Sequence, residues 1–542
     1  MTDRQRKKTT YSLGIVILAL LIGLLGGVMT APKLDAQYWS DGSEDADEAR
    51  FATMMQIIES CYVDDVDRDS VTDVMMNAML QTLDPHSCYL APDVLAKEAE
   101  IMQGQFMGIG VTLFYLGDSV YVSNVMSGGP AARAGLHAGD RIMRVDTTTV
   151  SGAGLITDGE EVVSLIRGPQ HTSVTLGIQR QGSSKIQNFK IRRDIIQMNS
   201  IPAVVMADKT TGYIRISRFA ETTGSEFHSA LLQLQNEGMK QLVLDLRENG
   251  GGSMESAVEV CDELLPKGDL IVYTQGDHDR RRNIHATKGG LFESGKVAVL
   301  INENSASASE IVAGAIQDND RGTIIGHRSF GKGLVQRQFP LPGGAAMLLT
   351  IARYHSPSGR CIQRPYDKGT DEYYREYVSR VVQEYVAADS ILDAGYDTTQ
   401  SFTTKKGRKV YGGGGIQPDI RLPYFSDTSL VYYNRLIGNR VFSEAVHEEL
   451  FAHYDQLIQR YPDIEAFKKG YAVDDAAWRA LLQRADRKGI ARHPEGIRKY
   501  ADEMRNRYKA EMAMALYGEN AYYQISLSHD TELQKALKSI HN

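Results

Sequence analysis

The sequence predicts a multidomain protein with an α/β core, α+β as a whole. Its 542 residues suggest three or four domains at roughly 150 residues each. Hydrophobic residues make up 42% of the chain and charged residues 24%, which is typical of globular proteins and excludes a disordered or fibrous chain. Between residues 196 and 365, short apolar strands alternate with helical segments. That alternation is the pattern of a layered domain with a partly parallel sheet.

Charge and cysteine content exclude several classes of function. The 60 Lys and Arg residues are outnumbered by 68 Asp and Glu residues, for a net charge of −8. An acidic chain lacks the basic surface that nucleic acid requires, so we expect no nucleic-acid partner. The four cysteines contain no CxxC pair, which argues against a zinc ribbon, a thioredoxin-like site or a disulfide framework. We predict neither a metal nor a cofactor.

Residues 1–36 predict a cytoplasmic tail and a membrane anchor. Four basic residues within positions 4–8 precede Leu13–Met29, a stretch without charge. As a helix this stretch is about 26 Å long, the short end of a membrane span. The basic flank favours the cytoplasm, which puts the body of the chain outside it, on the periplasmic side. A cleaved signal peptide, with the protein secreted to the periplasm, is the alternative, since Val28-Met29-Thr30 is a tolerable cleavage site.

Residues 37–103 predict an N-terminal helical segment. Apolar residues recur at helical spacing in 48–60 and again in Val71–Leu83, as expected for amphipathic helices. The segment fits an oligomerisation arm or a helical cap equally well, so a homo-oligomer stays open. The turn Asp84–Ser87 ends the second helix, and we assign it no chemistry despite His86.

Three further regions follow along the chain. Residues 104–195 combine short alternating strands, turn residues and one helix, Gly159–Ile166, which predicts a small β-rich domain. The α/β core spans 196–426, with an insertion near 366–404 that is rich in Tyr and charge. Residues 427–542 are charged and predict a helical extension.

Two apparent motifs fail on inspection. Gly326–Lys332 matches GxxxxGK, but Gly333 replaces the Ser or Thr that a phosphate loop needs for magnesium. His447-Glu448 begins like HExxH, but Phe451 stands where the second His must be.

The segment Ile301–Glu310 carries a candidate nucleophile. An apolar strand runs through a turn of small residues into a helix, which places Ser307 at a helix N-terminus. Free N–H groups and the helix dipole there favour an oxyanion. Ser307 and Glu310 also match a capping box, so a purely structural role remains open.

Lys332 is the candidate base. It lies between Gly331 and Gly333 and enters an apolar strand. To act as a base it must be neutral, which requires burial to lower its pKa from about 10.4 to near 7–8. Gln336 follows four residues later, on the same face of a strand, where it can orient the amine without adding negative charge. A surface lysine that buries only its stem is the alternative.

A glycine loop supplies the third segment. Gly250-Gly251-Gly252 follows the strand that ends at Leu246, and such loops let backbone N–H groups converge on an anion. In α/β sheets, sites lie at the carboxyl ends of strands. An ordinary strand-to-helix turn is the alternative.

Together these segments resemble the carboxyl-terminal processing peptidases, tail-specific serine proteases with a Ser-Lys dyad. The resemblance covers residues 80–365 and 406–422. It extends to Leu83–Ser87, Tyr354–Arg360 and Gly415–Asp419. It implies a crotonase-like α/β serine protease core preceded by a PDZ domain at 104–195.

The resemblance also implies roles for individual residues. Ser307 would be the nucleophile, Lys332 the general base and Gln336 its orienting residue. The N–H groups of Gly251 and Ala308 would form the oxyanion hole.

In the PDZ domain, Phe106–Gly110 looks like the loop that binds a peptide's terminal carboxylate. The candidate residues in this loop are Met107, Gly108, Ile109 and Gly110. The peptide would add as a strand beside the helix Glu160–Ile166. Met107 departs from the small residue common before Gly-Ile-Gly, which leaves the peptide preference open.

Arg167 matches a position where the family can carry a regulatory arginine that couples the PDZ domain to the core. A solvated residue at a helix end is the alternative.

The implied function is that of a serine endopeptidase of the C-terminal processing type. It would cut proteins near loosely structured C-terminal tails held by the PDZ domain, through an acyl-enzyme. Its partners would be protein or peptide substrates and, through the N-terminal segment, the membrane. Two other classes stay open: a non-catalytic peptide-binding scaffold, and a lipid- or retinoid-binding protein on a crotonase-like core.

Overall fold

The computed structural model describes residues 46–152, 159–287, 289–386, 400–423, 427 and 429–541. The predicted tail and membrane anchor at 1–36 lies outside the described residues. Within the described ranges, no helix combines the length and the apolar character that crossing a membrane requires. The chain divides into two compact units, Met1–Met75 and Met76–Asn542.

The first unit contains helix α1 (Ala46–Cys61) and the start of α2 (Arg68–Gln81). Arg68 pairs with Glu59 at 2.8 Å, which ties the start of α2 to α1. Exposed apolar side chains such as Phe51 and Met54 lie on α1. They suit both interpretations of this segment, so oligomerisation stays a prediction.

The central sheet lies in the second unit. Its strands, in spatial order, are β10 (Ala203–Met206), β11 (Thr211–Arg215), β12 (Gln241–Asp245), β15 (Val297–Ile301), β16 (Thr323–Gly326) and β21 (Ile420–Arg421). β10 and β11 are antiparallel, and every later pair in this order is parallel. Because both faces are covered, the central strand β15 is apolar throughout, and all five of its residues are buried.

Helices cover one face of this sheet and the last helix covers the other. The first group comprises α6 (Thr223–Asn236), α7 (Met254–Leu264) and α8 (Ala308–Asp318). A second, antiparallel sheet stands beside this layer. Its strands are β1 (Cys88–Leu90), β18 (Ala346–His355), β13 (Leu270–Gln275) and β14 (Arg282–His285), with β17 (Leu334–Pro340) paired to β18. A 3₁₀ turn, Pro342–Gly344, joins β17 to β18.

The β-rich domain is a separate antiparallel sheet with its own core. In spatial order its strands are β3 (Val111–Leu116), β4 (Ser119–Val125), β5 (Arg141–Val145), β7 (Ser173–Gln179) and β8 (Ile186–Arg192), with β6 (Thr148–Thr149) on β5. The helices are α4 (Pro130–Ala134) and α5 (Gly159–Ile166). β2 (Gln105–Gly108) pairs with β9 (Asp194–Gln197) where the chain enters and leaves the domain. Helix α3 (Pro92–Gln103) leads from β1 into it.

The insertion contains helix α9 (Thr370–Val386), and the chain then forms the hairpin of β19 (Ser401–Thr403) and β20 (Lys409–Tyr411). Arg380 of α9 is buried and donates to the carbonyl oxygens of Ser329 and Gly414 at 3.1 and 3.4 Å. The insertion thus contacts the loop that follows β16.

The C-terminal extension is helical, as predicted. Its helices are α10 (Leu430–Gly438), α11 (Val441–Arg460), α12 (Ile464–Gly470), α13 (Asp475–Arg487), α14 (Pro494–Lys499), α15 (Ala501–Tyr517), α16 (Glu519–Ser526) and α17 (Thr531–His541), with a 3₁₀ turn at Leu527–His529. His447 of α11 stacks on Phe114 of β3 with ring centroids 3.8 Å apart. Leu533 and Ile540 of α17 pack in one cluster with Leu300 of the central sheet. The extension therefore contacts both the β-rich domain and the core.

Candidate active site

Three adjacent parallel strands bring the three candidate segments to one edge of the sheet. β12, β15 and β16 are neighbours, and their carboxyl ends lead into the loops that carry Gly251, Ser307 and Lys332. A Cβ added to Gly251 would lie 2.8 Å from the Cβ of Ser307 and 3.1 Å from the amide N of Ala308. Gly251 therefore stands directly against the Ser307 turn, where no larger residue fits.

Ser307 has an unusual backbone conformation. Its φ is 55° and its ψ is −112°, close to the first central position of a type II′ turn, where glycine is the usual residue. Such a conformation costs on the order of 1–3 kcal/mol and persists where the surroundings enforce it. It makes the sharp strand-to-helix turn between β15 and α8, which begins at the next residue.

The buried carboxylate of Glu310 joins the Ser307 turn to the Lys332 loop. One oxygen accepts from the amides of Ser307 and Lys332, both at 2.9 Å. The other accepts from the Gly331 amide at 2.7 Å and the Ser329 hydroxyl at 2.5 Å. Burial raises the pKa of Glu310 above its ordinary value, and these hydrogen bonds act against that rise. Glu310 therefore does more than close a capping box.

Tyr354 forms a second link between the same two loops. Its hydroxyl lies 3.1 Å from the carbonyl oxygen of Ser307 and 2.7 Å from that of Lys332. The ring is buried on β18. Ser307 and Lys332 are thus held together through their backbones by two buried side chains.

The amine of Lys332 contacts Gln336, the residue predicted to orient it. Its Nζ donates to Gln336 Oε1 at 2.7 Å, and Gln336 Nε2 donates to the His86 carbonyl oxygen at 2.6 Å. Burial lowers the pKa of Lys332 below its ordinary value, although Cys88, Asp84 and Glu310 oppose this shift. Among the described residues, Lys332 Nζ pairs with Gln336 and not directly with Ser307. Catalytic hydrogen bonds are often loose before substrate binds.

His86, to which the sequence analysis assigned no chemistry, contacts Gln336. Besides its carbonyl contact to Gln336, its ring lies 3.0 Å from the Tyr373 hydroxyl. Burial and the charge of Lys332 lower the pKa of His86 to about 4, so the ring is neutral at pH 7. The turn at 84–87 thus supports the orienting residue of Lys332.

Of the two residues predicted for the oxyanion hole, one has an amide that already donates to a neighbouring side chain. Ala308 contributes the first amide of α8, and the first amides of a helix have no partner within it. The amide of Gly251, however, donates to Asn249 Oδ1 at 2.9 Å, and Asn249 Nδ2 donates to the Ile216 carbonyl oxygen at 2.9 Å. A neighbouring side chain thus occupies the Gly251 amide in this arrangement, and its part in an oxyanion hole stays a prediction.

The predicted peptide-binding loop joins two strands. Met107 and Gly108 end β2 and pair with Ile195 and Asp194 of β9. Ile109 is buried, and Gly110 has a φ of 76° where the chain turns into β3.

β3 is an edge strand of its sheet. Tyr115 of β3 donates to the Gly159 carbonyl oxygen at 2.9 Å, which links this strand to the start of α5. An edge strand beside a helix is the arrangement that strand addition requires.

Arg167 follows α5 and contacts the helix that leads into the domain. Its guanidinium pairs with Glu100 of α3 at 2.7 Å and lies 4.5 Å from the ring centre of Phe106. Because α3 directly follows β1 of the core's second sheet, Arg167 lies on the connection between the two domains. In the described ranges, no three His, Cys, Asp or Glu side chains are grouped so as to hold a metal ion.

Known families match three parts of the chain. Residues 210–371 match peptidase family S41, 121–180 match a PDZ domain, and 432–518 match a family of unknown function, DUF8443.

Two solved structures are similar to parts of the chain. One, of a photosystem II D1 C-terminal processing protease, is 30% identical and covers 59% of this chain and 85% of that one, with a TM-score of 0.33. The other, of the PDZ domain of a carboxy-terminal protease from Vibrio cholerae in complex with a peptide, is 33% identical over 17% of this chain and 99% of that one, with a TM-score of 0.16.

Curated proteins are also similar to this chain. The chain is 39% identical over 323 residues to a carboxy-terminal-processing protease of Bartonella bacilliformis, which covers 58% of this chain and 72% of that protein. It is 30% identical over 353 residues to a probable CtpA-like serine protease of Staphylococcus aureus strain MSSA476, covering 65% and 69%. The predicted family is thereby confirmed: the chain belongs to the carboxy-terminal-processing proteases, serine-type peptidases of family S41 with a PDZ domain.

Proposed function

We propose that this protease cuts proteins near loosely structured C-terminal tails, with Ser307 as the nucleophile and Lys332 as the general base of an acyl-enzyme mechanism. The observation that carries the proposal is the double link between the two residues. Glu310 and Tyr354 tie the Ser307 turn to the Lys332 loop. A strained serine at a helix N-terminus, its main chain linked to that of a lysine with a buried, oriented amine, suits a nucleophile and its base.

The chemistry follows from these positions. Neutral Lys332 takes the proton of the Ser307 hydroxyl as its oxygen attacks the scissile carbonyl carbon. Gln336 holds the amine and adds no charge that would favour its protonated form. The tetrahedral intermediate breaks the C–N bond, and Lys332 returns the proton to the leaving amine. Lys332 then takes a proton from water, whose oxygen attacks the acyl carbon. The C–O bond to Ser307 breaks, the new C-terminus leaves, and Lys332 returns the proton to the Ser307 oxygen.

The oxyanion of the intermediate would be held by the amides of Ala308 and Gly251. For this, the Gly251 amide must exchange Asn249 Oδ1 for the substrate oxygen. A developing alkoxide is a stronger acceptor than a neutral amide oxygen, so the transition state favours the exchange more than the ground state does.

Substrate capture would take place in the PDZ domain. The backbone amides at 107–110 would bind the terminal carboxylate, and the tail would add as a strand along the free edge of β3. Arg167 would couple the loaded domain to the core through Glu100 of α3. An anchor at residues 1–36 would hold the body on the periplasmic side of the membrane, or its cleavage would release the protein into the periplasm.

Two substitutions test the dyad. Ser307→Ala and Lys332→Ala are each expected to abolish cleavage of a denatured model protein with a free, unstructured C-terminal tail. A fluorophosphonate probe should label the wild type at Ser307, detected as one adduct by peptide mass spectrometry. Cleavage that survives Ser307→Ala would refute the mechanism. Tail binding without any cleavage by the wild type would favour the non-catalytic scaffold instead.

A further inference from the structure

The start of the last helix reaches the active-site edge of the central sheet. Asp530 and Glu532 bracket the first residue of α17. Their carboxylates contact Arg247, which follows β12 and lies four residues before Gly251. Glu532 also contacts His327, which follows β16 and lies five residues before Lys332. Residues more than 200 positions away in sequence thus contact two of the three catalytic loops.

Arg247 is the centre of a buried ionic cluster. Its guanidinium donates to Asp245 at 2.6 Å, to Asp530 at 2.7 Å and to Glu532 at 2.6 Å. Arg215 donates to Asp245 at 2.9 Å and to the carbonyl oxygen of Arg247 at 2.9 Å. The side chain and the backbone of the residue that begins the Gly251 loop are therefore both fixed.

Glu532 divides its two oxygens between the two loops. One oxygen lies 2.6 Å from Arg247 Nη1 and the other 3.2 Å from His327 Nε2. Burial acts to raise the pKa of Glu532, but the His327 hydrogen bond and the Arg247 charge outweigh it and hold the pKa below its ordinary value. The side chain is thus a carboxylate at neutral pH, with one acceptor for each loop.

The geometry points to Glu532 as a positioning residue for catalysis, which fixes the Gly251 loop and the Lys332 loop at one separation across the Ser307 strand. This inference rests on the proposed function, because it concerns the same three loops. β15, which leads to Ser307, lies between β12 and β16, so a bridge between the outer two sets the width of the site. Displacement of reacting groups by about 1 Å can cost on the order of a hundredfold in rate.

Apolar packing anchors α17 independently of this bridge. Leu533, Ala536 and Ile540 are buried in a cluster with Val243 and Leu300 of the central sheet. A buried ion pair is weak evidence for stability by itself. Loss of the Glu532 carboxylate should therefore release the loops while the helix stays in place.

Three variants of the full chain test the proposal. Glu532→Ala removes both contacts. Glu532→Gln keeps a bridge of the same length, since its amide can accept from Arg247 and donate to His327. His541→Ala is the matched control, because His541 lies on the same helix and pairs with Asp208 at 3.0 Å, at the other end of the helix. Each variant is measured for kcat and KM on the denatured tail substrate, for fluorophosphonate labelling of Ser307, and for thermal unfolding.

We expect Glu532→Ala to lower kcat and labelling about tenfold or more, with KM changed by less than about twofold. Glu532→Gln should stay within about threefold of the wild type, and His541→Ala should match it. Wild-type kcat in Glu532→Ala would overturn the inference. The inference would also be overturned if kcat and labelling fell equally in all three variants and in proportion to the loss of folded protein. If cleavage by the wild type does not depend on Ser307, the proposed function fails first, and the two failures are thus distinguishable.

Discussion

Glu310 and Lys332 are joined through the backbone: Glu310 Oε2 accepts the Lys332 amide at 2.9 Å, and the same oxygen accepts the Ser307 amide at 2.9 Å. One atom therefore sets the separation of the proposed nucleophile and its proposed base. The main chains of the two residues are thus fixed relative to each other. This is the pre-organisation that proton transfer between two loops requires.

Glu310→Gln should impair both activity and stability. Each oxygen of the Glu310 carboxylate accepts two hydrogen bonds. In glutamine an NH₂ group replaces one of these oxygens and cannot accept, so two buried donors lose their acceptor. Each unsatisfied buried donor costs about 1–3 kcal/mol, and we expect the free energy of unfolding to fall by about 2–4 kcal/mol. We expect kcat to fall on the order of a hundredfold. Urea unfolding and steady-state kinetics measure the two effects.

Glu465→Gln is the control for this substitution. Glu465 is exposed and pairs with Lys468 of its own helix, so both quantities should stay at wild-type values. An unchanged kcat in Glu310→Gln would contradict the role given to Glu310.

Gln336→Glu tests whether Lys332 must be neutral to act as the base. The new carboxylate would lie beside Lys332 Nζ, where Gln336 Oε1 now accepts at 2.7 Å. A neighbouring negative charge favours the ammonium form and raises the pKa of the amine. Lys332 acts only when neutral, so kcat/KM should fall at pH 7 and recover as the pH rises, with the whole profile displaced to higher pH. Gln336→Met should lower activity without displacing the pH profile. If the pH profiles of Gln336→Glu and the wild type superimpose, Lys332 is not the base that Gln336 orients.

Much of this geometry could be predicted from local sequence, because local patterns report local structure. The apolar run at 297–301 predicts a strand, and the strand observed is Val297–Ile301. The pattern at 322–325 predicts the next strand, which occupies Thr323–Gly326. The shift is one residue, within the usual uncertainty of element ends. The helix after Ser307 was also expected, since a small-residue turn before an apolar periodic run marks a helix start.

The connections between loops could not be predicted in this way. The capping-box pattern indicated the Ser307–Glu310 contact, but the second set of donors to Glu310 comes from residues 329–332, which no local pattern relates to it. The same holds for His86, whose carbonyl meets a glutamine 250 positions away. Asn249 gave no signal as the partner of the Gly251 amide, because an Asn-Gly pair in a turn is commonplace.

Lys332→Met should change how stability depends on pH. In the folded protein burial lowers the pKa of Lys332 below its unfolded value, so the unfolded chain binds the proton more tightly. Below the ordinary lysine pKa, this difference in proton binding lowers the free energy of unfolding of the wild type. The loss becomes smaller as the pH rises to that value. Methionine does not titrate, so the variant does not have this loss. The free energy of unfolding of Lys332→Met minus that of the wild type should therefore decrease with rising pH.

Urea unfolding across the alkaline range measures this difference. The exposed Lys406→Met is the control and should follow the wild-type curve. If the difference in free energy of unfolding stays constant with pH, burial does not lower the pKa of Lys332. Lys332→Met should also lose about 10²–10⁴ in kcat, as expected for removal of a general base.

Gly110→Ala should separate tail capture from peptide-bond cleavage. Gly110 has a φ of 76°, and an added Cβ would lie 3.3 Å from Ile196 Cδ1, so the amides at 107–110 would shift. We expect the affinity for a peptide with a free C-terminus to fall about tenfold, while fluorophosphonate labelling of Ser307 stays unchanged. Fluorescence anisotropy with free and C-terminally amidated peptides measures the binding. Gly117→Ala is the matched control, since Gly117 has a φ of 62° in the β3–β4 turn with open space around its Cβ. If both alanine variants bind the free peptide equally well, or if amidation makes no difference to the wild type, residues 107–110 do not bind the carboxylate.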